Sequence, residues 1–105
     1  MKKTKLIEGI VRIKKIGHAC IGCMAWESPY IIFERMNGKE YVWHSDNIPE
    51  ILDRHGLKHN YNLENKVYHV RMRVRQDRVW RLYNIIETSE SGKKIFDAFY
   101  MPLNQ

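Results

Sequence analysis

Three arginines spaced two residues apart are the clearest chemical feature of this chain. They lie in KVYHVRMRVRQDRVWRLYNII, residues 66–86, where His69, Arg71, Arg73 and Arg75 alternate with Tyr68, Val70, Met72 and Val74. Alternate residues of a strand share a face, so these side chains project together about every 6.6 Å. That repeat is close to the phosphate spacing of an extended single-stranded nucleic acid. A guanidinium holds a phosphate in a planar fork and also stacks on a base, two contacts that lysine cannot combine. If Gln76-Asp77 is a two-residue turn, the pairs are Arg75 with Arg78, Arg73 with Trp80, Arg71 with Leu82 and His69 with Asn84. Arg78 and Trp80 then join the basic face, and Trp80 supplies a stacking platform that Tyr30, Tyr41 or Trp43 could extend. The same residues also suit a solvated outer face, with Trp80 shielding Arg73 and the charges discouraging edge-to-edge association. Arg81 falls on the apolar parity beside Val79 and Tyr83, which puts it at a rim or implies a slip in register.

A second cluster contains metal-ligand types. His18-x-Cys20-x-x-Cys23 with His55 and His59 holds the side chains of a zinc finger. The spacing does not fit one, because 31 residues separate Cys23 from His55, where a finger has about a dozen. Gly56 also ends any helix between the two histidines. The expectation is therefore a small strand cysteine buried as a hydrophobe, with no metal and no cofactor. No glycine-rich phosphate loop, G-x-S-x-G or carboxylate pair is present, and His18, His44, His55, His59 and His69 form no catalytic constellation by spacing alone. The pattern points to binding rather than to catalysis.

The elements that would position these groups are mostly strands. Leu6–Ile16 is one, with Ile7, Gly9, Val11 and Ile13 on one face and Arg12 and Lys14 on the other, as possible companions to the basic hairpin. Gly17 breaks it, and His18–Trp26 is a second candidate. Tyr30–Met36 and Glu40–His44 flank Asn37-Gly38, a type I′ signal that would pair Arg35 with Glu40 and Phe33 with Val42. Ser45-Asp46 caps a short helix with Pro49 and Glu50 in its first turn and Gly56 as its stop. Residues 57–65 read as loop, Thr88–Gly92 as a turn and Lys94–Met101 as a final strand or short helix.

This pattern predicts a mainly β chain with one short helix, as a small antiparallel, partly open barrel, or alternatively an α+β roll, in a single domain over 1–105. The element order resembles an OB-like barrel, in which a helix separates three strands from a closing hairpin. It departs from that order where Asn37-Gly38 splits the third strand.

The net charge of +6 and pI near 9.4 favour anionic partners. No apolar run is long enough to span a membrane. Glu8, Arg12, Lys14 and Lys15 interrupt what would otherwise look like a signal peptide. The expectation is an intracellular, cytoplasmic protein with reduced cysteines.

The segment YHVRMRVRQDRVWRLYNIIETSESGKKIFDAFY resembles the C-terminal sheet of RelE/HigB-type toxins, small basic ribonucleases. The resemblance covers roughly the last 40 residues and implies Arg71, Arg73 and Arg81 as phosphate-contacting and transition-state-stabilising groups. The first 60 residues depart from it, being mostly strand where that family has two long helices. Three functions follow in order: a non-enzymatic binder of RNA or single-stranded DNA, a small regulatory protein docking on a protein partner, and an mRNA-cleaving toxin.

Overall fold

The computed structural model describes residues 3–20 and 27–102. In chain order these form β1 (Lys5–Cys20), β2 (Glu27–Arg35), β3 (Glu40–His44), α1 (Ile48–Arg54), a 3-10 turn (Tyr61–Leu63), β4 (Val67–Arg75), β5 (Arg78–Glu87) and α2 (Glu90–Phe99). The fold is mainly β. Its five strands close on themselves in the order β1-β2-β3-β5-β4. Every join is antiparallel except β3–β5, which is parallel and consists of the single pair Val42↔Arg78.

Gly17 does not end the first strand. β1 runs through it and is long enough to pair with β4 over Lys5–Arg12 and with β2 over Val11–Cys20. A bulge between Ile13 and Lys15 lets so long a strand bend from one neighbour to the next. The glycine has a packing role instead, since a Cβ there would lie 2.8 Å from Cζ of Tyr30. The strand expected over His18–Trp26 is thus partly the end of β1, and its residues 21–26 lie outside the described residues.

The β2–β3 connection also differs from expectation by one residue. Gly38 N–H donates to Arg35 O at 2.9 Å, and only Gly38 carries a positive φ, 84°. The loop is therefore Met36-Asn37-Gly38, a turn closed by one left-handed residue rather than a two-residue turn needing two. Pairing becomes Phe33↔Tyr41 and Glu34↔Glu40.

The interior is filled from the inward faces of all five strands, and Ile48 and Leu52 of α1 pack into the same core. α1 begins at Asn47 rather than at Ser45-Asp46, with Ser45 Oγ accepting from Asn47 N–H at 3.1 Å. It stops as the sequence predicts. Gly56 sits at φ 78°, and the Gly56→Asp53 and Leu57→Leu52 backbone bonds form a Schellman closure.

The chain has a second helix where a turn and an ambiguous element are expected. α2 starts at Glu90, follows Ser89 in extended conformation and includes Gly92. It is fixed to the barrel by Phe96, which is fully buried, and by Arg12, whose guanidinium lies over the rings of both Phe96 and Tyr100. Arg12 also pairs with Glu34 at 2.5 Å, and Tyr100 donates to the same carboxylate. No helix among the described residues is long and apolar enough to cross a membrane.

Candidate nucleic-acid interface

β4 keeps the alternation seen in the sequence: Val70, Met72 and Val74 are buried, while His69, Arg71, Arg73 and Arg75 face outward. Arg75 pairs with Arg78 across Gln76-Asp77, as predicted, with Gln76 at φ 57°. Beyond that pair β5 departs from strict alternation. Its register shifts twice against β4, leaving Trp80 and then Tyr83 as extra residues. Arg73 therefore faces Arg81 rather than Trp80, Arg71 faces Asn84 rather than Leu82, and His69 faces Ile86 rather than Asn84. The inward residues of β5 become Val79, Leu82 and Ile85, every third position. The bulges return Arg81 and Tyr83 to the outer face, which resolves their apparent misplacement on the core side.

The result is a cluster that alternation alone does not show. Arg73 Nε donates to the Tyr83 hydroxyl at 3.2 Å, and the guanidinium carbons of Arg71 and Arg81 lie 5.7 and 5.4 Å from the Tyr83 ring centre. Arg73 also donates to Thr4 Oγ1 at 3.2 Å. One carboxylate stands nearby, Glu8, at 3.9 Å from Arg71. The hydrogen bond from Arg73 is the largest influence on the Tyr83 phenol, and with the charges of Arg73, Arg81 and Arg71 it outweighs the opposing effect of burial and holds the phenol below its ordinary pKa. The three arginines implied by the RelE/HigB resemblance are the three that meet here. The described residues of the first half of the chain, however, form strands and one short helix.

Trp80 stands outward next to Arg81, 61% exposed. Tyr41 and Trp43 do not extend its platform, because both point into the core and are 4% exposed. Tyr30 lies over Gly17 with its ring edge-on to His44. Arg12 and Lys14 are placed apart from the hairpin cluster: Arg12 follows Glu8 by four residues, about 13 Å along β1. Arg12 is paired with Glu34 under α2, and Lys14 with Glu40.

Two histidines of the expected metal set do meet. The His18 and His59 rings are 5.9 Å apart, and burial, with His18 beside it, holds His59 below its ordinary pKa. His55 stands elsewhere, Cys23 lies outside the described residues, and no group of three or more metal-ligating side chains occurs among the described residues.

Beside the arginine cluster a cleft of about 580 Å³ opens between β3 and β5, next to the end of α1. It is lined by His44, Arg54, His55, Trp80, Arg81 and Tyr83 above a floor that includes Trp43 and Leu82. The sequence does not reveal it, because one side comes from the consecutive β3 and α1 and the other from β5, more than 20 residues later. The available signal was the three-residue spacing of Val79, Leu82 and Ile85.

Protein-family models, curated proteins and solved structures were compared with the chain. None matches.

Proposed function

We propose that the protein binds RNA or single-stranded DNA on the outer face of the β4–β5 hairpin, carried by an OB-like barrel. The observation behind this reading is the convergence of Arg71, Arg73 and Arg81 on Tyr83, with exposed Trp80 adjoining them. Guanidiniums packed around one phenol repel one another, and a phosphate backbone relieves that repulsion while accepting forked hydrogen bonds. Arg75 and Arg78 extend the cationic surface to the hairpin tip, and neither is in an ion pair among the described residues. An indole left in water beside these charges suits a base-stacking role. The barrel assignment is supported by the helix between β3 and β4, by the sharing of β1 between β2 and β4, and by the parallel β3–β5 join.

The test is fluorescence anisotropy with labelled oligo(U) and oligo(dT). Arg73→Glu should weaken binding by at least about tenfold, since it removes a charge-assisted contact and adds a repulsive one. Equal affinity of Arg73→Glu and wild type would end this reading. A second reading, a small regulatory protein docking on a protein partner, is favoured by α2, where Ile95 and Phe99 are 46% and 68% exposed and four residues apart on one face. It expects a stoichiometric protein to be recovered in a pulldown that survives nuclease treatment.

A further inference from the structure

We infer that the β3–β5 cleft is a nucleotide seat, in which a base stacks on Trp80 and its phosphate lies between Arg54 and Arg81. This rests on, and deepens, the reading of the hairpin as a nucleic-acid face.

The cleft exists because of how the barrel closes. β3 and β5 are joined at one pair, Val42↔Arg78, reinforced by Val42 N–H donating to Asp77 O at 2.9 Å. Beyond that point the chain after His44 turns into α1, while β5 continues along β4, so the two strands part and leave a recess between them. Its volume falls in the range of small-ligand sites, roughly 300–1,000 Å³.

The chemistry of its lining selects a ligand. Two guanidiniums and two imidazoles face the recess, and no carboxylate among the described residues lines it. That composition disfavours cations and suits an anion with hydrogen-bond acceptors. Trp80 and Tyr83 add aromatic surface, so the matching ligand carries both a planar ring and a negative group. Arg81 and Tyr83 belong to the arginine cluster and to the cleft at once. A strand lying over Arg71 and Arg73 would therefore reach the cleft without a break.

The same chemistry is presented by a free mononucleotide and by one residue of a strand, and the experiment separates them. Wild type, Arg54→Gln, Trp80→Leu and Arg73→Glu are titrated with AMP, UMP, oligo(U) and oligo(dT), following anisotropy and Trp80 fluorescence. Arg54 is exposed, at the end of α1 and outside the hairpin, and Trp80 is exposed, so neither substitution removes core. Arg54→Gln should weaken oligonucleotide binding roughly tenfold and lower the log–log salt slope by about 0.7. Trp80→Leu should abolish the fluorescence quench. Quenching by AMP or UMP alone assigns the seat to free nucleotides; quenching by oligonucleotides only assigns it to a strand. If Arg54→Gln and Trp80→Leu bind as wild type while Arg73→Glu fails, the cleft is not the seat and the hairpin face stands. If mononucleotides bind and oligonucleotides do not, the seat stands and the hairpin reading falls. Equal competition by poly-glutamate, or no binding of any probe, overturns the seat.

Discussion

At the scale of single residues, Tyr83 is the most informative reporter. Its phenolate is favoured first by the Arg73 hydrogen bond and then by the surrounding positive charges. A spectrophotometric titration should therefore show one tyrosine ionising below the ordinary value of 10, and Arg73→Met should return it toward that value. A phosphate bound at the cluster competes for the same guanidiniums, so saturating oligonucleotide should also raise it. Tyr68 provides the contrast: buried and donating to Leu63 O, it is pushed far upward and should not titrate before unfolding. Acid stability depends on two other groups. His59 is lowered by burial and by His18, so the folded state resists a proton that the unfolded chain accepts. Its contribution is intact above the ordinary 6.5 and is lost as pH falls through that value. Burial alone would raise Glu34, but hydrogen bonds from Tyr100 and Arg12 outweigh it and lower its pKa, so its contribution is lost only below about 4.5. Urea midpoints measured from pH 8 to pH 3 should fall in these two windows. His59→Phe should flatten the upper one and Glu34→Gln the lower.

At the scale of elements, what could be read in advance depended on whether a strand kept its period. β4 alternates without interruption, and both its buried and its arginine faces follow from the order of residues. β5 does not, because two bulges convert a period of two into a period of three, and a bulge is set by pairing across strands rather than by local preference. β1 was hidden for a different reason. Gly17 reads as a break in isolation, and only the ring of Tyr30 lying over it shows why a glycine is tolerated inside the strand. α2 was hidden because its first turn contains Ser91-Gly92, which reads as a turn, and its apolar residues Ile95, Phe96 and Phe99 are confined to the second half, with Phe96 alone fully buried. That makes a clear prediction. Phe96→Ala removes a fully buried ring that packs against both Arg12 and Tyr100 and should cost roughly 3 kcal/mol, the low end for such truncations. Hydrogen exchange should show α2 losing protection before the strands do.

At the scale of the whole molecule, joining the first two expected strands into β1 leaves five strands, and the split at Asn37-Gly38 then falls between β2 and β3. With that recount α1 lies between β3 and β4 of a five-stranded closed sheet. The charge distribution sets the final prediction. Of the ion pairs among the described residues, Arg12, Lys14 and Lys39 are each held within 2.6 Å of a carboxylate, while Arg71 has only the looser Glu8 contact. Arg73, Arg75, Arg78 and Arg81 have none. Four of the guanidiniums without an ion pair among the described residues are thus grouped on one hairpin. Binding through five guanidiniums should release counterions with a log–log slope of roughly −3.5 to −4.5 between 50 and 200 mM salt. Arg75→Gln with Arg78→Gln, at the tip and away from the core, should reduce the magnitude of that slope by about 1.4 without moving the urea midpoint. A slope near zero for wild type would mean that the row of arginines serves only as a solvated outer face, and that it protects the barrel from edge-to-edge association instead of recruiting a partner.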